Sequence, residues 1–185
     1  GHEDRGWLAP RGPGVVLSAL GGGQAASYGG ARWAVPPGTA QSAALVSYAA
    51  NGTVSWARAM TTAGTVLPQA AGAHPQHGIV VGGTFDGTLA SGTRSATSNG
   101  TTDAFLAAFS PTGSPIRVDA VSGTGSDMAT NLAWDESGLL MTSGRITGTL
   151  ALGGGAHAAP GPADEAVVAV APPREDHGVG RQHAH

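Results

Sequence analysis

Eight carboxylates lie away from the chain ends: Asp86, Asp103, Asp119, Asp127, Asp135, Glu136, Asp164 and Glu165. Two such groups facing each other across a sugar are the minimum for glycoside hydrolysis, one protonating the leaving oxygen and the other supporting the developing cation. Spacing marks out no pair. Asp103 and Asp164 recur where a strand is expected to begin, and Asp127 and Asp135 stand in turn-forming segments. An aspartate in such a place ordinarily accepts hydrogen bonds from nearby main-chain amides, so these acids are expected to shape turns rather than carry a reaction.

The imidazoles offer less. His74 and His77 in AHPQHG have a spacing that would chelate a metal on a helix, but Pro75 lies between them and breaks one. His157 sits in a separate linker, and His177, His183 and His185 belong to a polar tail, so no third ligand or supporting shell is indicated. No Gly-x-Ser-x-Gly elbow occurs; GTGSD lacks the last glycine. Gly21-Gly22-Gly23 and Gly153-Gly154-Gly155 are followed neither by Lys-Ser/Thr nor by a helical pattern, which a phosphate-cradling loop requires. The chain has no cysteine, which removes disulfides, thiolate metal sites and a cysteine nucleophile together. No catalytic, cofactor-binding or metal-ligating residue is assigned, no cofactor is expected, and the protein is read as not an enzyme.

The elements that would position any of these residues are short. Gly 31 and Pro 12 in 185 residues, 11% charge and a mean hydropathy near zero describe a turn-rich chain. Glycine at that frequency disfavours long helices, since each one inside a helix costs about 1 kcal/mol relative to alanine. The net charge of -3 is spread over 12 acids and nine arginines without a block of one sign, so neither a nucleic-acid footprint nor a basic membrane patch is expected. No apolar run reaches the 18 or so residues of a spanning helix, and no membrane insertion is expected. The amino end, GHEDRGWLAP, has neither an initiating methionine nor a signal-peptide core, which reads as a fragment or a processed chain.

One phrase is written twice. Residues 82–90, GGTFDGTLA, return 61 positions later as SGRITGTLA, residues 143–151. The same offset sets Ala43 to Tyr48 over Ala104 to Phe109, Gly52 over Gly113, and Asp103 to Leu106 over Asp164 to Val167. Within residues 103–163 the periods predict strands over 103–110, 116–121, 129–134 and 139–146, with turns at Ser110-Pro111-Thr112-Gly113, at 122–127 and at 135–138. Four such strands form one antiparallel meander, and a sheet of that kind must bury its faces against neighbours. Repetition at a fixed period is the signature of a propeller, although 61 residues exceeds the forty to fifty or so of common blades. The glycine-rich loops at 91–102 and 152–163 would absorb the excess. Glycines at 83, 87, 144 and 148 lie inside strand patterns and are expected to mark bulges or close backbone approach. Trp56 and Trp134, also within strand patterns, are expected to pack between blades, while Trp7 and Trp33 are left open.

The stretch from Asp103 to Gly155 resembles the bacterial β-propeller repeats of large secreted or surface proteins and is similar to the SBBP-type repeat. Asp103, Gly113, Gly125, Asp127, Asp135, Gly138 and Gly144 stand on positions of that pattern. The preceding unit departs from it. Trp56 stands where the family has tryptophan, Arg117 replaces it one unit later, and residues 71–77 lack the Asp-x-x-Gly turn. The resemblance covers roughly residues 42–171 and implies an all-β, propeller-like partial array located outside the cell or on its surface.

The expected partition is an N-terminal extension at 1–13, a partial repeat at 14–41, repeats at 42–102 and 103–163, the start of another at 164–171, and a disordered tail at 172–185. The expected function is a non-enzymatic scaffold presenting loops to protein or glycan ligands, as a fragment of a larger surface or secreted protein, with no nucleic-acid partner and the oligomeric state open. The alternative is a fragment of a carbohydrate-active hydrolase or lyase with carboxylates in a propeller funnel.

Overall fold

A computed structural model describes residues 37–121, 126–136 and 138–145 in full. It describes as backbone Gly6–Arg11, Gly14–Gly22, Ala26–Tyr28, Ala31–Trp33, Thr149–Leu152, Gly155–Ala158 and Asp164–Val170, together with Ile146. The expected tail at 172–185 and residues 122–125 of the 122–127 turn lie outside the described residues.

The protein is all-β, with antiparallel ladders and no helix among the described residues. Numbered in chain order, the strands begin with β1 (Gly6–Arg11), β2 (Gly14–Gly22), β3 (Ala26–Tyr28), β4 (Ala31–Trp33), β5 (Gln41–Tyr48) and β6 (Val54–Thr62). Next come β7 (Val66–His74), β8 (Gly78–Phe85), β9 (Thr88–Ser91), β10 (Arg94–Thr97), β11 (Asp103–Phe109) and β12 (Pro115–Val121). The chain continues through β13 (Met128–Trp134), β14 (Leu140–Ile146), β15 (Thr149–Leu152), β16 (Gly155–Ala158) and β17 (Asp164–Val170). The first sheet has the order β1-β2-β5-β6 and takes the β9-β10 hairpin on its β6 edge through the pair Thr61 and Ala90. The middle sheet is β7-β8-β11-β12, and the third is β13-β14-β17. Hairpins β3-β4 and β15-β16 form ladders of their own.

The four strands expected over 103–146 all exist, within two residues of the anticipated bounds, but they do not make one meander. β11 and β12 complete the sheet begun by β7 and β8, whereas β13 and β14 pair with β17. The break falls between Val121 and Met128. The local pattern of apolar and turn residues marks strands but not the point at which one sheet ends and the next begins. Burial sets that point: β8 and β11 are buried along their whole length and need a strand on each side. The stretch set aside as an extension, 1–13, also contributes a strand, since β1 pairs with β2 from Gly6 opposite Ala19 to Arg11 opposite Gly14.

Alternation on β11 shows how the sheets stack. Phe105, Ala107 and Phe109 join Ala43, Leu45 and Met60 of the first sheet and Ile79, Val81 and Phe85 of the middle one in a single core. Ala104, Leu106 and Ala108 face the other way, onto Ala129, Leu132, Trp134 and Leu140 of the third sheet. One face of the middle sheet therefore carries rings, with Phe85 edge-on to Phe105 at 6.1 Å, and the other carries mostly methyl groups. Burying a side chain such as Phe105 or Leu45, both at 0% exposure, contributes about 1.5–3 kcal/mol. Strands β1, β7 and β13 are each the first of their sheet, and both β1 and β13 approach β7. At the opposite edge the β9-β10 hairpin lies between β6 and β12.

Candidate functional site

Most of the described carboxylates have visible partners close by. Asp86 accepts the Thr65 N–H on Oδ1 at 2.7 Å, and its own main chain closes the same knot: its N–H donates to Thr65 O, and its carbonyl accepts the Thr62 hydroxyl at 2.9 Å. Asp103, fully buried, accepts the N–H groups of Asn99 and Gly100 on Oδ2 and so folds the chain returning from β10. Its other oxygen, Oδ1, is buried without a partner. Asp135 accepts the Leu139 N–H on Oδ1 at 2.8 Å and closes the β13–β14 turn. Asp119 pairs with Arg117 on the same strand. Asp127 is buried, and its N–H donates to Thr102 O beside the parallel bridge between Thr102 and Ser126. These are the strand-start role anticipated for Asp103 and the turn role anticipated for Asp135. Glu136 is exposed, and the side chains of Asp164 and Glu165 lie outside the described residues.

The two histidines do come together, but on a turn. His74 Nδ1 accepts the N–H groups of Gln76 and His77, both at 3.2 Å, so the imidazole does at the β7–β8 turn what the Asp135 carboxylate does at the β13–β14 turn. The rings of His74 and His77 stack at 4.5 Å, and Trp134 stacks on His77 at 5.7 Å. Trp134 lies against Gly72 and has its indole nitrogen buried without a partner, so it joins the third sheet to the middle one. Among the described residues no three His, Asp or Glu side chains converge in a way that would hold a metal ion.

Trp56 and Arg58 make the corresponding join between the first sheet and the middle one. Arg58 Nε donates to Gly113 O at 2.7 Å, Trp56 Nε1 donates to Pro111 O at 3.3 Å, and the Arg58 guanidinium lies 5.8 Å from the Trp56 ring centroid. Gly113, at φ 83°, is pressed against that ring: a Cβ there would lie 2.7 Å from Trp56 Cε3. Both described tryptophans therefore pack between sheets, as anticipated.

One accessible and polar stretch is the β9-β10 hairpin with its return loop. Gly92, Thr93, Arg94, Ser95, Thr97, Asn99, Gly100 and Thr101 are exposed. Their frame is fixed from below: the Ser91 hydroxyl donates to Ala59 O, the Thr88 and Thr97 hydroxyls bond each other at 3.0 Å, and Gly87 N–H donates to the Ser98 hydroxyl. The arrangement offers hydroxyls and one guanidinium on a rigid two-stranded arm, groups suited to hydrogen-bonding a polar ligand. Sequence reading took 91–102 for a plain loop. The signal it passed over is Gly92 at the first of two central positions, where two-residue hairpin turns require positive φ; the angle is 58°. No protein-family model matches this sequence, and no curated protein matches it.

Proposed function

We propose that the protein is a non-enzymatic, propeller-like repeat scaffold, part of a larger surface or secreted protein, which presents its edge hairpins to protein or glycan ligands. The observation that carries the binding half of this reading is the anchored hairpin β9-β10, the most exposed polar element described in full and the one held by two sheets. Three features support the repeat half. The bulge at Pro68 and Ala70 has a counterpart at Ala129 and Asn131, 61 positions on. Leu45, Leu106 and Val167 occupy β5, β11 and β17, which follow a hairpin in each sheet. Turns 49–53 and 110–114 repeat the same pair of main-chain hydrogen bonds. The location outside the cell follows from the family resemblance alone.

The test is a panel of soluble polysaccharides scored both for retention on the immobilised chain and for release of new reducing ends. The reading expects retention that weakens in Arg94→Ala, with no sugar released. Release of reducing ends from any polysaccharide of the panel would establish the hydrolase alternative instead.

A further inference from the structure

The chain contains two Asn-Gly-Thr triplets, Asn51-Gly52-Thr53 and Asn99-Gly100-Thr101, each fitting the acceptor pattern for N-linked sugars. All six residues are exposed. Their surroundings differ in ways that matter to a transferase, which has to reach the carboxamide nitrogen and the hydroxyl two residues on. At the first triplet the Asn51 Oδ1 accepts both the Thr53 N–H at 3.1 Å and the Thr53 hydroxyl at 2.7 Å. The carboxamide is held by its oxygen, which directs the two hydrogens of Nδ2 away from the turn. At the second the threonine hydroxyl is engaged elsewhere, with the Ser126 hydroxyl at 3.3 Å, and the Asn99 and Gly100 main chain is tied down to the buried Asp103.

The turn carrying Asn51 is also open. Residues 49–53 have the same pair of main-chain hydrogen bonds as residues 110–114, with Gly52 N–H donating to Ala49 O as Gly113 N–H donates to Ser110 O. Yet Gly113 is covered by Trp56 and Arg58, whereas among the described residues no atom beyond its two chain neighbours lies within 4 Å of where a Cβ on Gly52 would project. Asn51 itself is exposed, and the strands on either side, β5 and β6, hold the turn in place.

We propose that Asn51 is an acceptor for N-linked glycosylation from a diphosphate-activated sugar, and that Asn99 is a poor acceptor in the folded chain. In the transfer Asn51 Nδ2 attacks the anomeric carbon and forms the N–C bond. The bond from that carbon to the diphosphate oxygen breaks with its electron pair, and one amide proton passes to a base of the transferase. The donor is either a lipid-diphosphate oligosaccharide or a nucleotide sugar, which share this chemistry. The proposal adds to the scaffold reading a modified site at the opposite end of the strands from the return loop. It rests on that reading only for where the chain would meet its transferase.

The experiment uses the purified folded chain, so its result does not depend on cellular location. One arm contains a membrane oligosaccharyltransferase with a lipid-diphosphate oligosaccharide, the other a soluble asparagine glucosyltransferase with UDP-glucose. Intact mass and peptide mapping locate the sugar. The expected result is an added glycan on Asn51 in at least one arm, lost in Asn51→Gln and in Thr53→Val, retained in Thr53→Ser and in Asn99→Gln, with Asn99 largely bare. Absence of sugar from Asn51 in both arms, or occupancy of Asn99 equal to or above that of Asn51, would overturn the proposal. Circular dichroism of each variant shows whether it kept its sheets, and Thr53→Ser preserves the test if Thr53→Val does not fold.

Discussion

Replacing Gly83 by alanine should be among the most damaging single-methyl changes in the middle sheet, and the same change one residue earlier should be mild. A Cβ on Gly83 would lie 2.8 Å from Pro68 Cα and 2.9 Å from the Leu67 carbonyl carbon, with the Leu67 oxygen closer still. Every obstacle is main chain in the bulged part of β7, so no rotamer change relieves it. Carbon atoms prefer about 3.5–4.0 Å, so β7 must move from β8 by roughly 1 Å. Overpacking of this kind costs about 1–3 kcal/mol. Straining two ladder hydrogen bonds adds about 1 kcal/mol each. The reduced freedom of the unfolded alanine chain returns about 0.4–1 kcal/mol. The net loss is about 2–5 kcal/mol, or about 4–20 °C in Tm at about 2–4 °C per kcal/mol for a chain of this length. At Gly82 the nearest atoms are Leu132 Cδ1 at 3.2 Å, Ala129 Cβ at 3.3 Å and Leu106 Cδ2 at 3.3 Å. Two of these are ends of flexible side chains, and Gly82→Ala should change stability by no more than about 1 kcal/mol. Urea denaturation with calorimetry on both variants decides the matter. If Gly83→Ala were as stable as Gly82→Ala, the close pairing of Gly83 with the bulge would not be the reason for glycine there.

The remaining predictions concern the turns and the joins between sheets. His74→Ala removes the acceptor of two amides and should cost about 1 kcal/mol, while His74→Asp, which supplies the group used at Asp135, should lose less than half of that in urea denaturation. Arg58→Ala removes a charged donor from Gly113 O and should cost about 1–2 kcal/mol, with faster amide exchange at Gly113 and Ser114. Arg117→Ala breaks an ion pair whose side chains are 35% and 29% exposed, so it should cost less than about 1 kcal/mol, and less again in high salt.

The strands were legible because their signal is local. β11 reads as an unbroken apolar run from its own residues, and Gly113 marks the turn after it. The acids were legible as turn formers for the same reason: the partners of Asp103 and Asp135 lie three or four residues away. Two things were not. His74 was weighed only as a metal ligand, because nothing in AHPQHG announces that an imidazole nitrogen will take an aspartate's place; that follows from the shape of the turn. Arg58 went unremarked because its partner, Gly113, is 55 residues away on another sheet.

The amino-acid sequence by itself determined that the chain makes short strands and tight turns. The pattern of apolar residues and turn glycines is enough for that. The division into sheets was decided only in three dimensions. β12 and β13 are neighbours in the chain yet belong to different layers, because Phe105 and Phe109 are buried only when β11 lies between β8 and β12 with the first sheet against its ring-bearing face. Tertiary packing also distinguished two turns built alike, covering Gly113 and leaving Gly52 open, and so decided which stretches of this surface are free to meet anything else.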